Sequence, residues 1–266
     1  GFPKFKSKHK NQDSFQVTQS LSLENNLLWI PKFKQGIKIV QHRPIEGRII
    51  TSTVSRTKSN KYFVSIATEQ IIKKLEPSDK IVAIDLGIKS FAVLSSGETI
   101  KNPRFHKNLE QEIKKQHKIL SRKQKKSNKR KKQKIKLARI YEKVSRKRTD
   151  FLQKLSTRII RENQTIILED LNIKGMLRNH KLAKSIQDCS WNCFVGMLKY
   201  KAEWFGRNLV FVDRWFPSSK LCYDCGWIKE DLTLKDRKWI CGSCGTRHLR
   251  DLNASKNLLR QGIHVD

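Results

Sequence analysis

The sequence predicts an α/β protein built on a mixed sheet, with a small β module in front of the sheet and long basic helices inserted into it. Short apolar runs at 81–84, 91–94, 165–168 and 208–212 predict buried strands. The segments between the last three runs show the apolar spacing of helices. Strands that alternate with long helices favour an α/β sheet over a helical bundle. A chain of 266 residues can bury one sizeable core and a smaller appended unit.

The charge of the chain indicates its class of partner. Fifty-seven Lys and Arg residues against 24 Asp and Glu residues give a formal charge of +33, which opposes compaction unless a polyanion neutralises it. Nucleic acid is the expected polyanion. No apolar run approaches the roughly 18 residues of a membrane span, so we expect no membrane partner.

The N-terminal ten residues contain neither Met nor an apolar core of the signal-peptide type. We therefore expect an intracellular protein, and the missing Met suggests a fragment of a longer chain.

The region before the sheet predicts a small β module. Runs at 36–42, 47–54 and 61–66 are rich in Ile, Val and Thr with rough alternation, which is typical of strands. Basic residues lie among or beside these runs: Arg43, Arg48, Arg56, Lys58 and Lys61. They form either a nucleic-acid-binding face or an ordinary solvated surface.

Helical spacing dominates the middle of the chain. Apolar residues recur at helical intervals from 107 to 162 and predict two long helices. Between Arg122 and Arg148, fifteen of 27 residues are Lys or Arg, a density suited to lie along a phosphate backbone. A disordered basic linker is the alternative. Further helices are expected at 191–205 and 254–259.

Four cysteines form a candidate zinc site. Two Cys-x-x-Cys pairs are separated by 15 residues, a spacing that lets two turns close a tetrahedron of thiolates around Zn²⁺: Cys222, Cys225, Cys241 and Cys244. Gly226 and Gly245 follow the pairs and tolerate the positive φ of such a turn, and their own backbone N–H groups are expected to donate toward sulfur. Two disulfides or a redox pair would need a context that is not apparent. His248 lies nearby, but four cysteines suffice. Cys189 and Cys193 are expected to pack on one helix.

Three carboxylates lie at the ends of predicted strands or at the start of a predicted helix. Asp85 interrupts an apolar strand, Glu169 closes another, and Asp251 opens the terminal helix. Two divalent cations need oxygen ligands that converge from different elements. Each residue also has an ordinary interpretation: a turn for Asp85, a strand end for Glu169, a helix cap for Asp251. Asp170 competes with Glu169, and Asp213 is the reserve candidate.

These motifs occur together in a recognisable order. Ile-Asp-Leu-Gly at 84–87, Leu-Glu-Asp-Leu-Asn at 168–172, Phe-Pro-Ser-Ser-Lys at 216–220 and Arg-Asp-Leu-Asn-Ala at 250–254 resemble the TnpB (OrfB) family of transposon-encoded proteins. The resemblance covers about residues 80–260. The first 80 residues, including Gly-Phe-Pro-Lys-Phe-Lys at the start, resemble the later part of the family's N-terminal β module.

Membership would imply an RNase H-like nuclease of the RuvC type, guided by RNA from the transposon end and related to compact type V CRISPR effectors. Asp85, Glu169 and Asp251 match the positions that hold two catalytic Mg²⁺ ions, and the four cysteines match the structural zinc ribbon. The resemblance implies DNA and guide RNA as partners in the cytoplasm of a prokaryotic cell, associated with the nucleoid. A homodimer is left open.

The expected domains follow from this resemblance. They are an incomplete, nucleic-acid-binding β module at 1–79, a RuvC-like core at 80–219 with a helical insertion at about 107–162, a zinc ribbon at 220–246, and the last part of the core at 247–266. Two departures affect function. The family usually begins with a further β strand and a helical recognition segment, and we expect this chain to start after them. In addition, His-Leu-Arg-Asp at 248–251 replaces the usual His-Asp-Arg-Asp.

Two other functions remain in competition. A truncated or domesticated binding protein without catalysis would keep all of the charge and the zinc. A ribosome-associated zinc-ribbon protein would explain the charge but not the three ordered carboxylate motifs. On the nuclease hypothesis Trp215, Phe216 or Tyr223 could stack bases of single-stranded DNA, while core packing explains each equally well.

Overall fold

The computed structural model describes residues 13–18, 21–233 and 235–264. The Gly-Phe-Pro-Lys-Phe-Lys segment at the start of the chain lies outside the described residues.

Along the described residues nine strands precede the first helix, and helices separate the later strands Thr165–Glu169 and Asn208–Val212. The strands are β1 (Asp13–Val17), β2 (Ser22–Glu24), β3 (Leu27–Trp29), β4 (Ile37–Lys38), β5 (Arg48–Arg56), β6 (Tyr62–Glu69), β7 (Ile81–Leu86), β8 (Ser90–Leu94), β9 (Thr99–Lys101), β10 (Thr165–Glu169), β11 (Asn208–Val212), β12 (Lys238–Ile240) and β13 (Arg247–Leu249). The helices are α1 (Phe105–Asn108), α2 (Glu110–Ser121), α3 (Asn128–Glu162), α4 (Ile173–Met176), α5 (Ala183–Cys189), α6 (Trp191–Phe205) and α7 (Arg250–Ile263).

The chain forms two compact units. Of the described residues, the first unit comprises those within 13–72 and 111–143, and the second comprises those within 73–110 and 144–264. Helix α3 contributes to both.

The first unit contains two antiparallel sheets of three strands, with the orders β1-β5-β6 and β2-β3-β4. The runs expected at 47–54 and 61–66 are the strands β5 and β6. The run expected at 36–42 is shorter in the structure, where only Ile37–Lys38 pairs as β4. Strands β1 to β3 were not expected, because segments of three to five residues are too short to show a convincing period.

A helical hairpin completes the first unit. The Gln133 amide donates to Gln116 Oε1 at 2.5 Å, and the Arg130 guanidinium donates to the Leu120 carbonyl at 2.5 Å and to that of Lys123 at 3.0 Å. The dense basic stretch is therefore helical from Asn128 onward, which excludes the linker alternative there. From Asn128 to Arg148 its exposed cations are Lys129, Lys131, Lys132, Lys134, Lys136, Arg139, Lys143, Arg146 and Lys147.

The second unit is built on a five-stranded mixed sheet with the order β11-β10-β7-β8-β9. Strand β10 pairs parallel to both β11 and β7, and β8 pairs antiparallel to β7 and β9. This confirms the α/β sheet and the hairpin that the apolar runs predict.

Each face of the sheet carries its own core. On one face the strand residues Ile84 and Leu168 pack with the C-terminal half of α3 and with α6. On the other face Ala83 and Ile167 pack with Leu258 of α7. Because successive side chains of a strand point to opposite faces, strands that are covered on both sides read as continuous apolar runs.

The helix expected to hold both Cys189 and Cys193 is two helices. Ser190 adopts φ 56° and ψ 43°, which ends α5 at Cys189 and starts α6 at Trp191. Cys189 is buried and Cys193 is exposed, so only the first of the two cysteines packs in the core.

None of the helices in the described ranges combines the length and the apolarity needed to cross a membrane.

Candidate active site and metal centre

Two of the candidate carboxylates lie side by side at the ends of parallel strands. Leu168 of β10 pairs with Ile84 of β7, so the next residues, Glu169 and Asp85, are neighbours. Ala83 and Ile167 point toward α7, and side chains two residues apart on a strand share a face. Asp85 and Glu169 therefore point toward the α7 side of the sheet.

The third carboxylate comes from the helix that covers this face. Asp251 lies in the first turn of α7, whose N-cap is Leu249 without a side-chain cap. Its helix-cap interpretation is thus excluded, as is the turn interpretation of Asp85, which pairs with Val93 inside β7. Asp170 forms an ion pair with Arg214.

The pKa values of two of these carboxyl groups, Asp85 and Glu169, are raised by their surroundings. Burial, and then the nearby charges of Asp251 and Glu169, together raise the pKa of Asp85 from 3.8 to about 8, although Arg250 and Arg237 act in the opposite direction. Burial, and then the neighbouring charge of Asp170, raises the pKa of Glu169. Buried carboxylates that lie close together repel one another and are costly to ionise unless a cation compensates their charge. Hard divalent cations, which prefer oxygen ligands, can provide this compensation.

Two arginines beside Asp251 were not expected from the sequence. Arg250 contacts Asp251 Oδ1 at 2.8 Å, and Arg237 lies 3.6 Å from the same atom. Adjacency to Asp251 is a signal that could have identified Arg250. Arg237 is brought there by the fold of the cysteine module, and its sequence position carries no such signal.

A cleft of about 690 Å³ opens at this edge of the sheet and includes Asp85 and Asp251 in its wall. Glu169 is not one of its lining residues. Six cations surround the cleft: Lys89, Arg104, Lys220, Lys235, Arg237 and Arg250. The cleft thus combines two carboxylates with a positive rim, as a site for a phosphate ester requires. Within the described ranges, groups of metal-ligand atoms closer than 4.8 Å to one another occur in the cysteine module, and the three carboxylates do not form such a group.

One of these cations has a strained backbone. Arg104 adopts φ 48° and ψ 46°, a left-handed conformation that is uncommon for residues other than glycine. Asn102 holds it there, since its Oδ1 accepts from the Arg104 N–H at 3.1 Å and its Nδ2 donates to the Ile88 carbonyl at 2.7 Å. Strain of this kind is frequent at functional sites, and no sequence pattern marked it.

The four cysteines come together as the spacing predicts. The Sγ atoms of Cys222 and Cys244 are 3.7 Å apart, and those of Cys225 and Cys241 are 3.5 Å apart. A zinc–sulfur bond of about 2.3 Å in a tetrahedron places sulfurs about 3.8 Å apart. The cluster is therefore close to the dimensions of a zinc site. No disulfide links these residues.

The turns of the cysteine module match the expected backbone but not the expected donors. Gly226 and Gly245 adopt φ values of 78° and 73°, which confirms the positive φ. Their N–H groups donate to the carbonyl oxygens of Cys222 and Cys241, at 2.9 and 3.0 Å, and not to sulfur. Hydrogen bonding to Thr246 lowers the pKa of Cys244 to about 6, which favours its thiolate.

His248 lies directly behind the cluster. Its Nε2 is 3.1 Å from Cys222 Sγ, its ring centroid is 4.6 Å from that of Trp239, and Asp224 lies 3.7 Å from the same nitrogen. Cys222, Asp224 and His248 form a second group of ligand type that shares Cys222 with the first. A hydrogen bond from His248 to the Cys222 thiolate accounts for this geometry with the four cysteines as ligands.

Two family models match the chain. Residues 61–180 match a family described as "Probable transposase", OrfB_IS605. Residues 191–258 match the "Cas12f1-like, TNB domain" family.

Curated relatives match along nearly the whole chain. A Streptomyces pristinaespiralis protein named "Putative RNA-guided DNA endonuclease" is 42% identical over 98% of this chain and 66% of its own length. An Escherichia coli K12 protein with the same kind of name is 30% identical over 99% of this chain and 69% of its own length. A TnpB-like protein of Methanocaldococcus jannaschii is 30% identical over 70% of each chain. The chain thus spans about two thirds of the length of these relatives.

Solved structures share the fold. The structure "Cryo-EM structure of the Cas12f1-sgRNA-target DNA complex" matches with a TM-score of 0.51 and 16% identity, over 92% of this chain and 66% of that one. A CRISPR-Cas12f ternary complex matches with a TM-score of 0.50 and 22% identity, over 79% of this chain and 45% of that one.

Proposed function

We propose, from the premise that this chain belongs to the TnpB (OrfB) family, that it is a metal-dependent, RNA-guided DNA endonuclease of a transposable element. The observation that carries the proposal is the placement of Asp85 and Glu169 on adjacent parallel strands, on the face covered by the helix that begins with Asp251. The relatives' names support the choice of DNA as substrate and RNA as guide.

The core would be an RNase H-like nuclease of the RuvC type. In it Asp85, Glu169 and Asp251 would hold two Mg²⁺ ions. Bound there, the ions would activate a water molecule and stabilise the leaving oxygen of the phosphodiester. The raised pKa of Asp85 supports this assignment, because a carboxyl that is costly to ionise alone ionises readily beside a cation.

The residues around the triad would position the strand. Lys89, Arg104 and Lys220 on the cleft rim can hold phosphates that flank the one being cut. Arg250 and Arg237 already partly neutralise Asp251, which limits the repulsion between the carboxylates before cations bind.

Sequence selection would come from base pairing, while the protein reads charge and shape. The exposed lysines and arginines of the basic stretch in α3 are suited to contact the phosphate backbone of a duplex of guide and target. The four cysteines would hold one structural Zn²⁺, which stabilises the module that carries Arg237 and takes no part in the chemistry.

Cleavage of labelled single-stranded and guide-matched duplex DNA, with and without Mg²⁺, tests the proposal. We expect cutting that requires both Mg²⁺ and Asp85, so that Asp85→Ala binds DNA but does not cut. Glu169→Gln should lose cutting by the same logic. Asp170→Asn is the matched control, because Asp170 pairs with Arg214 and the substituted amide keeps an acceptor for it.

Two outcomes would overturn the proposal. If Asp85→Ala still cuts with Mg²⁺, the site is elsewhere. If the wild-type chain, folded around zinc, binds DNA tightly and never cuts, the chain is a binding protein without catalysis.

A further inference from the structure

One tryptophan is exposed far more than the other five. Trp215 is 85% exposed, against 48% for Trp204, the next most exposed. Within the described chain its indole has no ring-stacking or cation contact. Burying a large indole is strongly favourable, so its almost complete exposure is a feature that the fold itself does not explain.

The structure separates Trp215 from the two other aromatic residues of its segment. Phe216 packs against the core on the α7 side of the sheet. The ring of Tyr223 already carries the Arg260 guanidinium at 4.4 Å and the Lys256 ammonium at 5.2 Å. Of the three, only Trp215 presents an open aromatic face.

The turn that presents Trp215 is held by hydrogen bonds. Asp213 Oδ1 accepts from the Trp215 N–H at 2.8 Å, and the Asp213 carbonyl accepts from the Phe216 N–H at 3.1 Å. Phe216 anchors the next residue in the core. The backbone of Trp215 is thus ordered before any ligand arrives, which lowers the entropy lost when a ligand binds.

This turn lies at the same edge of the sheet as the carboxylates. Val212 pairs with Glu169, Arg214 forms an ion pair with Asp170, and Trp215 follows three residues after Val212. Three residues of chain and one strand spacing place the Cα atoms of Trp215 and Glu169 no more than about 16 Å apart. An indole at that distance can contact a strand that passes through the site.

We propose that Trp215 stacks on an unpaired base of single-stranded DNA led to the acidic site; this inference rests on the proposed function. The surroundings favour a base over a protein partner. The flanking residues Asp213 and Arg214 are exposed and charged, whereas a protein-binding site is usually a contiguous apolar patch. A solitary aromatic residue in a protein of charge +33 suits a strand whose bases stack while its phosphates are neutralised.

Binding of a fluorescein-labelled oligothymidine tests the proposal. Every variant carries Asp85→Ala and the buffer contains no Mg²⁺, so cleavage does not enter the measurement. We expect Trp215→Ala to weaken binding about fivefold or more and Trp215→Phe to weaken it less than Trp215→Ala. Trp204→Ala is the matched control and should leave the affinity unchanged, because the Trp204 ring already packs edge to face against Tyr200, with the ring centroids 4.7 Å apart. Equal affinities of Trp215→Ala and its parent would overturn the proposal.

A blunt duplex of the same length distinguishes stacking from other roles. Apart from the two terminal pairs, the bases of a duplex offer no free face, so Trp215→Ala should bind the duplex nearly as well as its parent does. An equal loss on the duplex would overturn stacking. A loss of self-association in sedimentation, with oligothymidine binding intact, would instead assign Trp215 to a contact with a second copy of the chain.

The outcomes keep this proposal separate from the proposed function. If Trp215→Ala loses oligothymidine binding while the chain with Asp85 intact never cuts, stacking stands and the nuclease assignment fails. If cutting depends on Asp85 and Trp215→Ala binds normally, the nuclease stands and stacking fails. If the parent chain binds no single strand, stacking fails, and the cleavage assay alone decides the nuclease assignment.

Discussion

Gly262 of α7 lies so close to Ile167 of β10 that a Cβ built on the glycine would stand 2.5 Å from Ile167 Cγ2. Carbon atoms in van der Waals contact are about 3.5 to 4.0 Å apart, and Ile167 is fully buried, so it has no room to retreat. Helix α7 carries Asp251, and its close approach to the sheet therefore depends on glycine at position 262.

Gly262→Ala should destabilise the protein by about 1 to 3 kcal/mol through overpacking. Gly196→Ala is the matched control, since that glycine lies inside α6 with nothing within 4 Å of an added Cβ. It should stabilise the protein by up to about 1 kcal/mol, the helix-propensity difference. Thermal or urea unfolding of both variants measures this. Equal effects would contradict the close packing.

Asp85→Asn should raise stability at high pH and not at low pH. The unfolded carboxyl ionises near 3.8 and the folded one near 8, so between these values the unfolded state binds fewer protons than the folded state. Stability then falls as pH rises through this interval. The amide introduced by Asp85→Asn does not ionise, so at pH 8 the free energy of unfolding of this variant should exceed that of the wild type by more than about 1 kcal/mol.

Melting temperatures at pH 4.5 and 8, without added divalent cations and without a chelator that would remove zinc, measure this difference. Asp150→Asn serves as the control because Asp150 is exposed on α3. A gain for Asp85→Asn of the same size at both pH values would argue against a raised pKa.

His248→Phe should weaken zinc binding about tenfold or more, the usual effect of removing an outer-shell partner. Phe keeps a ring against Trp239 but removes the nitrogen that lies 3.1 Å from Cys222 Sγ. Competition with a chromogenic chelator measures the affinity. His180→Phe, at an exposed position, should bind zinc as the wild type does. Unchanged affinity in His248→Phe would exclude the hydrogen bond as a support of the site.

Exchanging Lys129, Lys132 and Lys136 together for Gln should make DNA binding less dependent on salt. All three are exposed on α3, and each phosphate contact contributes about 0.9 to the slope of log K against log salt concentration. The slope should therefore decrease by up to about 2.7, the sum of three such contacts. The matched variant with Arg at the three positions keeps the charge and should keep the slope. If the Gln variant keeps it too, this face does not contact phosphates.

Local sequence patterns predicted much of the second unit. The apolar runs at β7, β8, β10 and β11 are covered on both faces, so their composition alone revealed them. The basic stretch, for which the sequence leaves a disordered linker as the alternative, is helical in the structure, and Leu137 and Val144, seven residues apart, are its buried apolar residues of helical spacing. The break between α5 and α6 at Ser190 was not predictable from local patterns. Nothing in its neighbourhood signals the left-handed backbone that separates α5 from α6, because the packing of Cys189 and Trp191 on the core imposes it.

The cysteine pairs, the charge and the order of the acidic motifs are properties of the sequence itself, because each depends on residue type and spacing along the chain. Only the tertiary structure decided three features. They are the shared face of Asp85 and Glu169, the arginines beside Asp251, and the exposure of Trp215 next to the partly buried Phe216. Strand pairing and burial arise from contacts between residues far apart in the chain, and no local pattern specifies which of two adjacent aromatic rings meets the core.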